Sequence, residues 1–182
     1  MHINLIAAIS NKRGLGLNGS IPWRCSEDMR FFKKTTIGNK ENAIIMGRKT
    51  WESLPEPKIL PNRYNVVISK TSYYSLNQKY SDNNNIIFVN NVKTAIKICL
   101  NKNLEIVWVI GGLEIYKYFL DIYSNILSYC YITNIDTDIE CNVFFPELDK
   151  KVWEIDSEQV LSDKAKVVIY KKISYHLPDN SS

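Results

Sequence analysis

At 182 residues, with 45% hydrophobic and 23% charged residues and a net charge of +4, the chain has the size and balance of one globular domain, large enough to bury a core without staples. Its 23 Lys and Arg residues are scattered along the chain, so no nucleic-acid footprint is indicated. The two histidines, His2 and His176, stand near the termini, which argues against Ser-His-Asp or Cys-His catalysis and against a His-rich metal site.

Residues 3–10 (INLIAAIS) form a continuous apolar run, the pattern of a strand buried on both faces. The run is too short to span a membrane and lacks the preceding basic segment of a signal peptide. A glycine-rich loop follows over 11–21. Ser26 is placed to cap a helix over 26–36, with Glu27 and Asp28 in its first turn. Further strands are expected at 43–46, 64–69, 86–89, 105–110 and 128–135, and helices at 48–54, 92–100 and 113–120. Residues 82–85 read as a turn. Residues 152–159 and 166–175 read as two strands joined by a turn over 162–165, an antiparallel hairpin. Strands and helices alternate until that hairpin closes the chain. The expected fold is therefore α/β, with a mainly parallel central sheet, an antiparallel C-terminal edge and about four flanking helices. Residues 1–176 are expected to form the domain and 177–182 a disordered polar tail. Cys25, Cys99, Cys130 and Cys141 contain no C-x-x-C pair and are expected to be buried, reduced thiols. These features suit a cytoplasmic protein without membrane or nucleic-acid partners.

Gly14, Gly16 and Gly19 spell G-x-G-x-x-G. A dinucleotide fingerprint would open a helix directly after its strand. Here residues 11–13 intervene, and Pro22 and Trp23 precede any helix. The segment reads better as a mobile flap over a site, or else as a plain surface loop. Two other junctions carry more information. One strand runs into Gly47-Arg48-Lys49-Thr50 and a helix; another runs into Gly111-Gly112 and a helix. A helix N-terminus offers free N–H groups and partial positive charge, and glycine admits an anion closely. Both junctions fall at carboxyl ends of strands, where α/β sheets bind ligands. Either alone is compatible with a tight turn; together they favour a ligand with two phosphate regions, such as a dinucleotide. Arg48, Lys49 and Lys70, the last beside Ser69, would suit an adenosine 2′-phosphate, so NADPH is expected over NADH.

Seven segments, in order, resemble those of the dihydrofolate reductases: L-I-A-A at 5–8, G-L-N-G-S-I-P-W at 16–23, E-D-M-R-F-F at 27–32, I-M-G-R-K-T-W-E-S-L at 45–54, L-P-N-R at 60–63, V-I-G-G-L-E-I-Y at 109–116 and Y-I-T-N-I-D at 131–136. The resemblance spans roughly residues 3–175. It implies an eight-stranded sheet flanked by helices. It also implies NADPH-dependent reduction of 7,8-dihydrofolate to 5,6,7,8-tetrahydrofolate, by hydride transfer to C6 and water-relayed protonation of N5. Carried over by position, it implies three catalytic residues: Asp28 gripping the pterin, Thr133 hydrogen-bonding that carboxylate and the ligand, and Trp23 holding a water. The residue spacing agrees for Asp28 and Phe32, which lie four apart on one helix face. Burial among Phe31, Phe32 and Ile110 would raise the Asp28 pKa, while hydrogen bonds from the pterin would favour its charged form.

The resemblance further implies substrate contacts at Ile6, Ala8, Phe32, Leu54, Leu60, Ile110 and Tyr116, with Arg63 pairing with the carboxylate of the substrate's glutamate tail. It implies cofactor contacts at Ala8, Leu15, Gly19, Ser20, Gly47, Arg48, Lys49, Thr50, Ser69, Lys70, Gly111, Gly112, Leu113, Ile115 and Tyr116, with the family's cis peptide at Gly111-Gly112. A monomer without bound metal is expected. Asn62 stands where many relatives have glycine, and asparagine tolerates the left-handed turn. Asn142 replaces an acidic residue of bacterial members, which puts their loop-switching scheme in doubt, and Glu114 replaces a basic residue of some of them. A non-catalytic module of the same fold, or a reductase of another pyrimidine-like substrate, is the alternative. Asp28, Trp23, Thr133 and the paired glycines disfavour the first, and L-P-N-R disfavours the second.

Overall fold

The computed structural model describes residues 1–39 and 41–173. The expected tail at 177–182 and the end of the hairpin at 174–175 lie outside the described residues. In chain order the elements are β1 (His2–Ile9), β2 (Gly14–Gly16), α1 (Ser26–Ile37), β3 (Ala43–Gly47), α2 (Arg48–Glu52), β4 (Tyr64–Ile68), α3 (Tyr73–Lys79), β5 (Ile86–Val89), α4 (Val92–Asn101), β6 (Ile106–Val109), α5 (Leu113–Ile122), a 3-10 turn (Ser124–Ile126), β7 (Leu127–Ile135), β8 (Val143–Phe144), β9 (Trp153–Ser162) and β10 (Ala165–Lys172).

Eight strands form one sheet in the order β5-β4-β3-β6-β1-β7-β10-β9. The pairs from β5 through β7 are parallel, and β10 pairs antiparallel with both β7 and β9. The parallel strands are apolar at nearly every position because helices cover both faces. Alternation then sorts their side chains. Leu5, Ile45, Val107 and Val109 join Ala95 and Phe119 under α4 and α5. Ile6, Ile44, Met46 and Trp108 join Trp51 and Phe88, with Phe31 and Phe32 of α1 packed over them. The second face is the one that matters for the site, because α1 leaves its own aromatic residues there only half-buried.

The structure departs from the expected elements in four places. First, the N-cap of α1 is Cys25, whereas Ser26 is the first helical residue and bonds Glu27 Oε1 at 2.9 Å. A serine one position too late cannot reach the free N–H groups of its own first turn. Second, α3 is a fifth helix. Its Tyr, Ser and Asn residues are mediocre helix formers, so its sequence carries little signal. Tertiary contacts hold it: the Asn77 amide donates to Phe88 O at 2.7 Å and accepts from Phe88 N–H at 2.9 Å, satisfying the free edge of β5. Third, the glycine loop contains a strand, since β2 pairs with β8. A Cβ on Gly14 would lie 2.4 Å from Cys141 Sγ, so glycine is what allows the two segments to approach. Fourth, only Cys99 and Cys130 are buried; Cys25 and Cys141 are half-buried, and all four are free. Burial pushes the Cys99 thiol up to about 12. The final hairpin turns on Asp163 and Lys164, two residues, between β9 and β10.

Among the described residues no helix is long and apolar enough to cross a membrane.

Candidate active site

Asp28 is the third residue of α1, whose N-cap is Cys25. Its carboxyl is half-buried, and burial raises its pKa above the ordinary value. A hydrogen bond with Thr133 opposes that shift. Thr133 is 1% exposed and pairs in register with Ala8 of β1. Two adjacent strands thus present a buried hydroxyl beneath a carboxylate delivered by α1. Thr133 can donate to Asp28 while the second carboxylate oxygen stays free for a ligand.

Eight residues further along the same helix face stands Thr36, a rise of about 12 Å. Its hydroxyl accepts from Arg63 Nη1 at 2.8 Å and donates to Phe32 O at 2.7 Å. Arg63 is 5% exposed, also donates to Pro61 O at 3.1 Å, and lies 5.9 Å from the Phe32 ring centroid. Burial lowers its pKa, and it has no ion pair among the described residues. A desolvated guanidinium without a carboxylate is costly. Asn65 builds the turn that delivers it: its side chain bonds Leu60 N and Leu60 O at 2.9 and 3.0 Å and Arg63 O at 2.8 Å. Asn62 takes φ 61° in that turn, the left-handed geometry expected. Between the two ends, half-buried Phe32, Leu54, Leu60 and Ile110 pack on the core beside Ile6. The whole is an apolar track with an acid at one end and a cation at the other. Thr36 and Asn65 were not singled out from the sequence, although the 28–32–36 spacing on α1 points to Thr36.

The two glycine junctions become one place, because β3 and β6 are neighbours. Gly47 N–H donates to Gly111 O at 2.7 Å, and a Cβ on Gly112 would come within 3.2 Å of Thr50 Oγ1. A Cβ on Gly47 would press on Ile115 at 3.2 Å. Gly47 and Gly112 are the N-caps of α2 and α5, and no side chain caps either helix among the described residues. Two uncapped helix N-termini over a glycine cradle fit a phosphate-bearing dinucleotide. The Gly111-Gly112 peptide is cis. Tyr116 lies against Gly111, is 5% exposed, and donates to Ile6 O at 2.8 Å; burial and the nearby Asp28 raise its pKa. Tyr116 therefore links the cradle to the Asp28 end of the track.

The other expected positions fall around these features. Leu113 is half-buried at the head of α5, and Leu15 is packed on the first core cluster. Ser69 is buried and accepts from Ser72 N–H at 3.2 Å. Gly19 and Ser20 are exposed in the loop, Gly19 at φ 85° with open space around it. Lys49 and Lys70 are exposed and have no ion pair among the described residues, whereas Arg48 is paired with Glu52. Trp23 is half-buried at a cavity of about 320 Å³ shared with Ile135, Thr137 and the β9–β10 turn. The loop that carries it is tied down: Asn142 Oδ1 accepts from Asn18 N–H at 3.2 Å, and the two side-chain amides bond at 2.9 Å.

A family model described as dihydrofolate reductase matches residues 2–177. A dihydrofolate reductase of Buchnera aphidicola is 39% identical over 85% of this chain and 84% of its own length. One from Drosophila melanogaster is 34% identical over 88% and 89% respectively. The chain also matches a bifunctional dihydrofolate reductase-thymidylate synthase of Daucus carota, 34% identical, over 82% of this chain but 29% of that protein.

Proposed function

The chain belongs to the dihydrofolate reductase family, and from that premise we propose how its pocket performs the reaction. It is an oxidoreductase that reduces 7,8-dihydrofolate to tetrahydrofolate with a nicotinamide cofactor. The observation that supports this use of the site is the pairing of Asp28, desolvated and held by Thr133, with Arg63, buried and without an acidic partner among the described residues. One substrate has the complementary ends: an amino-pyrimidine edge for the acid and a carboxylate tail for the cation.

The cofactor's reduced nicotinamide ring supplies the hydride. Gly47, Thr50, Gly112 and Leu113 would hold its phosphates, and Ala8, Gly111 and Tyr116 line the approach to the substrate. Asp28 accepts hydrogen bonds from the pterin and fixes its face; Thr133 fixes Asp28. Ordering both partners converts an encounter into a positioned reaction. Asp28 is the carboxylate placed on the pterin, and it is committed to the amino-pyrimidine edge. The proton for N5 comes through a water held beside Trp23. Residues 11–21, strapped to Asn142, exclude bulk solvent. Arg48, Lys49 and Lys70 are the cations placed for a 2′-phosphate, so NADPH is the cofactor. Four free cysteines suit a reducing, cytoplasmic setting.

The test follows nucleotide oxidation by the purified chain with dihydrofolate. NADPH should be used at least tenfold more efficiently than NADH, and methotrexate should abolish turnover. Equal use of both nucleotides would overturn the cofactor assignment, and no turnover with either would overturn the reading of the site.

A further inference from the structure

Residues 18 and 19 are the only Asn-Gly step in the sequence, and both stand exposed at the tip of the loop over the site. Such a step carries its own reactants, because the glycine nitrogen can close a ring on the asparagine side-chain carbon with no following side chain in the way. We propose that Asn18-Gly19 is a self-modification site, which converts to isoaspartate and so frees the loop from Asn142. The Gly19 nitrogen gives its proton to solvent hydroxide and bonds to Asn18 Cγ. The Cγ–Nδ2 bond breaks, and ammonia leaves with a proton taken from water. Water then opens the resulting succinimide. Opening at Cγ gives aspartate; opening at the main-chain carbonyl leaves Gly19 attached through Cγ, as isoaspartate with a free α-carboxylate. No electrons change hands, and water is the one co-reactant consumed.

Three observations select this step. The first is freedom of the reacting groups. Neither the Gly19 N–H nor Asn18 Nδ2, the leaving amide, makes a hydrogen bond among the described residues, and nothing lies within 4 Å of a Cβ built on Gly19. The second is contrast. Asn62 and Asn103 also take positive φ, but Arg63 and Leu104 follow them, and those side chains crowd the attacking nitrogen. The third is what the product must break. Asn18 and Gly19 alone separate the bridged Leu17 and Ser20, whose backbones bond at 2.9 and 3.1 Å. Asn18 N–H donates to Asn142 Oδ1 at 3.2 Å, and Asn142 Nδ2 donates to Asn18 Oδ1 at 2.9 Å. Isoaspartate adds a methylene to the main chain of this turn and turns the Asn18 carbonyl into a carboxylate. The bridge and the strap to Asn142 then cannot both persist. Because ring closure needs Asn18 to rotate, the strap also restrains the reaction that destroys it. The covalent change stands on the loop alone; its cost to activity rests on the reading of residues 11–21 as the cover of the site.

The experiment ages the purified full chain in mildly alkaline buffer and follows it by peptide mass and by turnover with NADPH and dihydrofolate. The tryptic peptide 14–24 contains Asn18 and no other asparagine. It should gain about 1 Da as the amide becomes an acid, and fragmentation should show isoaspartate at position 18. Turnover should fall in step, about fivefold or more in converted chains, as expected for the loss of the strap's two hydrogen bonds. Asn142→Ala, which removes the restraint, should convert about two- to tenfold faster. Asn18→Gln would need a larger ring to close, and should keep both its mass and its own starting turnover over the same period. A peptide of unchanged mass, under conditions in which the guanidinium-unfolded chain converts, would overturn the modification site. Conversion no faster in Asn142→Ala would overturn the restraint. Undiminished turnover of converted chains, or an equal loss in Asn18→Gln, would overturn the effect on the loop.

Discussion

Asp28 is where stability and activity oppose one another. Its pKa in the folded, unliganded chain is raised above the ordinary 3.8 by burial, so the folded state holds that proton more tightly than the unfolded state. The stabilisation is complete below the unfolded pKa and is lost as pH rises through the folded one. At neutral pH the ionised carboxylate is a cost. Asp28→Asn should therefore raise the melting temperature of the unliganded chain at neutral pH, and the gain should vanish below about pH 3.8. A thermal melt series against pH measures this, and a gain independent of pH would contradict the linkage. The same substitution should slow turnover about 10²–10⁴-fold at neutral pH, because a neutral amide cannot polarise the pterin as the carboxylate does. A group that destabilises the empty protein and serves only the occupied one is what a binding site requires.

At the scale of elements, the cradle between β3 and β6 depends on backbone reaching places where side chains cannot follow. Gly111 takes φ +98°, and a Cβ there would meet the Tyr116 ring at 2.7 Å. Gly111→Ala must displace Tyr116 and its bond to Ile6 O, while adopting a backbone conformation that costs about 1–3 kcal/mol. Calorimetry should show a lowered melting temperature and titration a weaker nucleotide affinity; an unchanged affinity would separate the cradle from the cofactor. Gly19, at φ +85° but with nothing within 4 Å, should tolerate alanine better. The contrast separates backbone strain alone from strain combined with collision.

For the whole molecule, the two sheet edges decide whether chains pair. The free side of β5 is covered by the Asn77 amide of α3. The β9 edge is exposed from 154 to 160 and includes Ile155 and Val160, but Glu154, Asp156 and Glu158 alternate along it, bonded to Lys171 and Lys166. Charged edge strands resist strand-to-strand association. Sedimentation at micromolar concentration should give the mass of one chain, and a dimer would show that the apolar residues of β9 outweigh its charges.

Local features of the sequence were enough for the parallel strands and the final hairpin, because apolar runs and turn residues are properties of neighbouring positions; spacing alone left Asp28 equally an acid that complements its helix N-terminus, and only the family motifs singled it out. The family motifs placed Arg63, Thr133 and the paired glycines for the same reason: each is a short run of residue types. Three-dimensional folding alone decided the rest. α3 exists because Asn77 closes a sheet edge, and β2 because a glycine lets residue 141 come close. Folding also joined the two glycine junctions into one cradle and set Arg63 on Thr36, about 12 Å of helix from Asp28. Contacts between residues far apart in the chain depend on the relative placement of elements, and no local pattern encodes that placement.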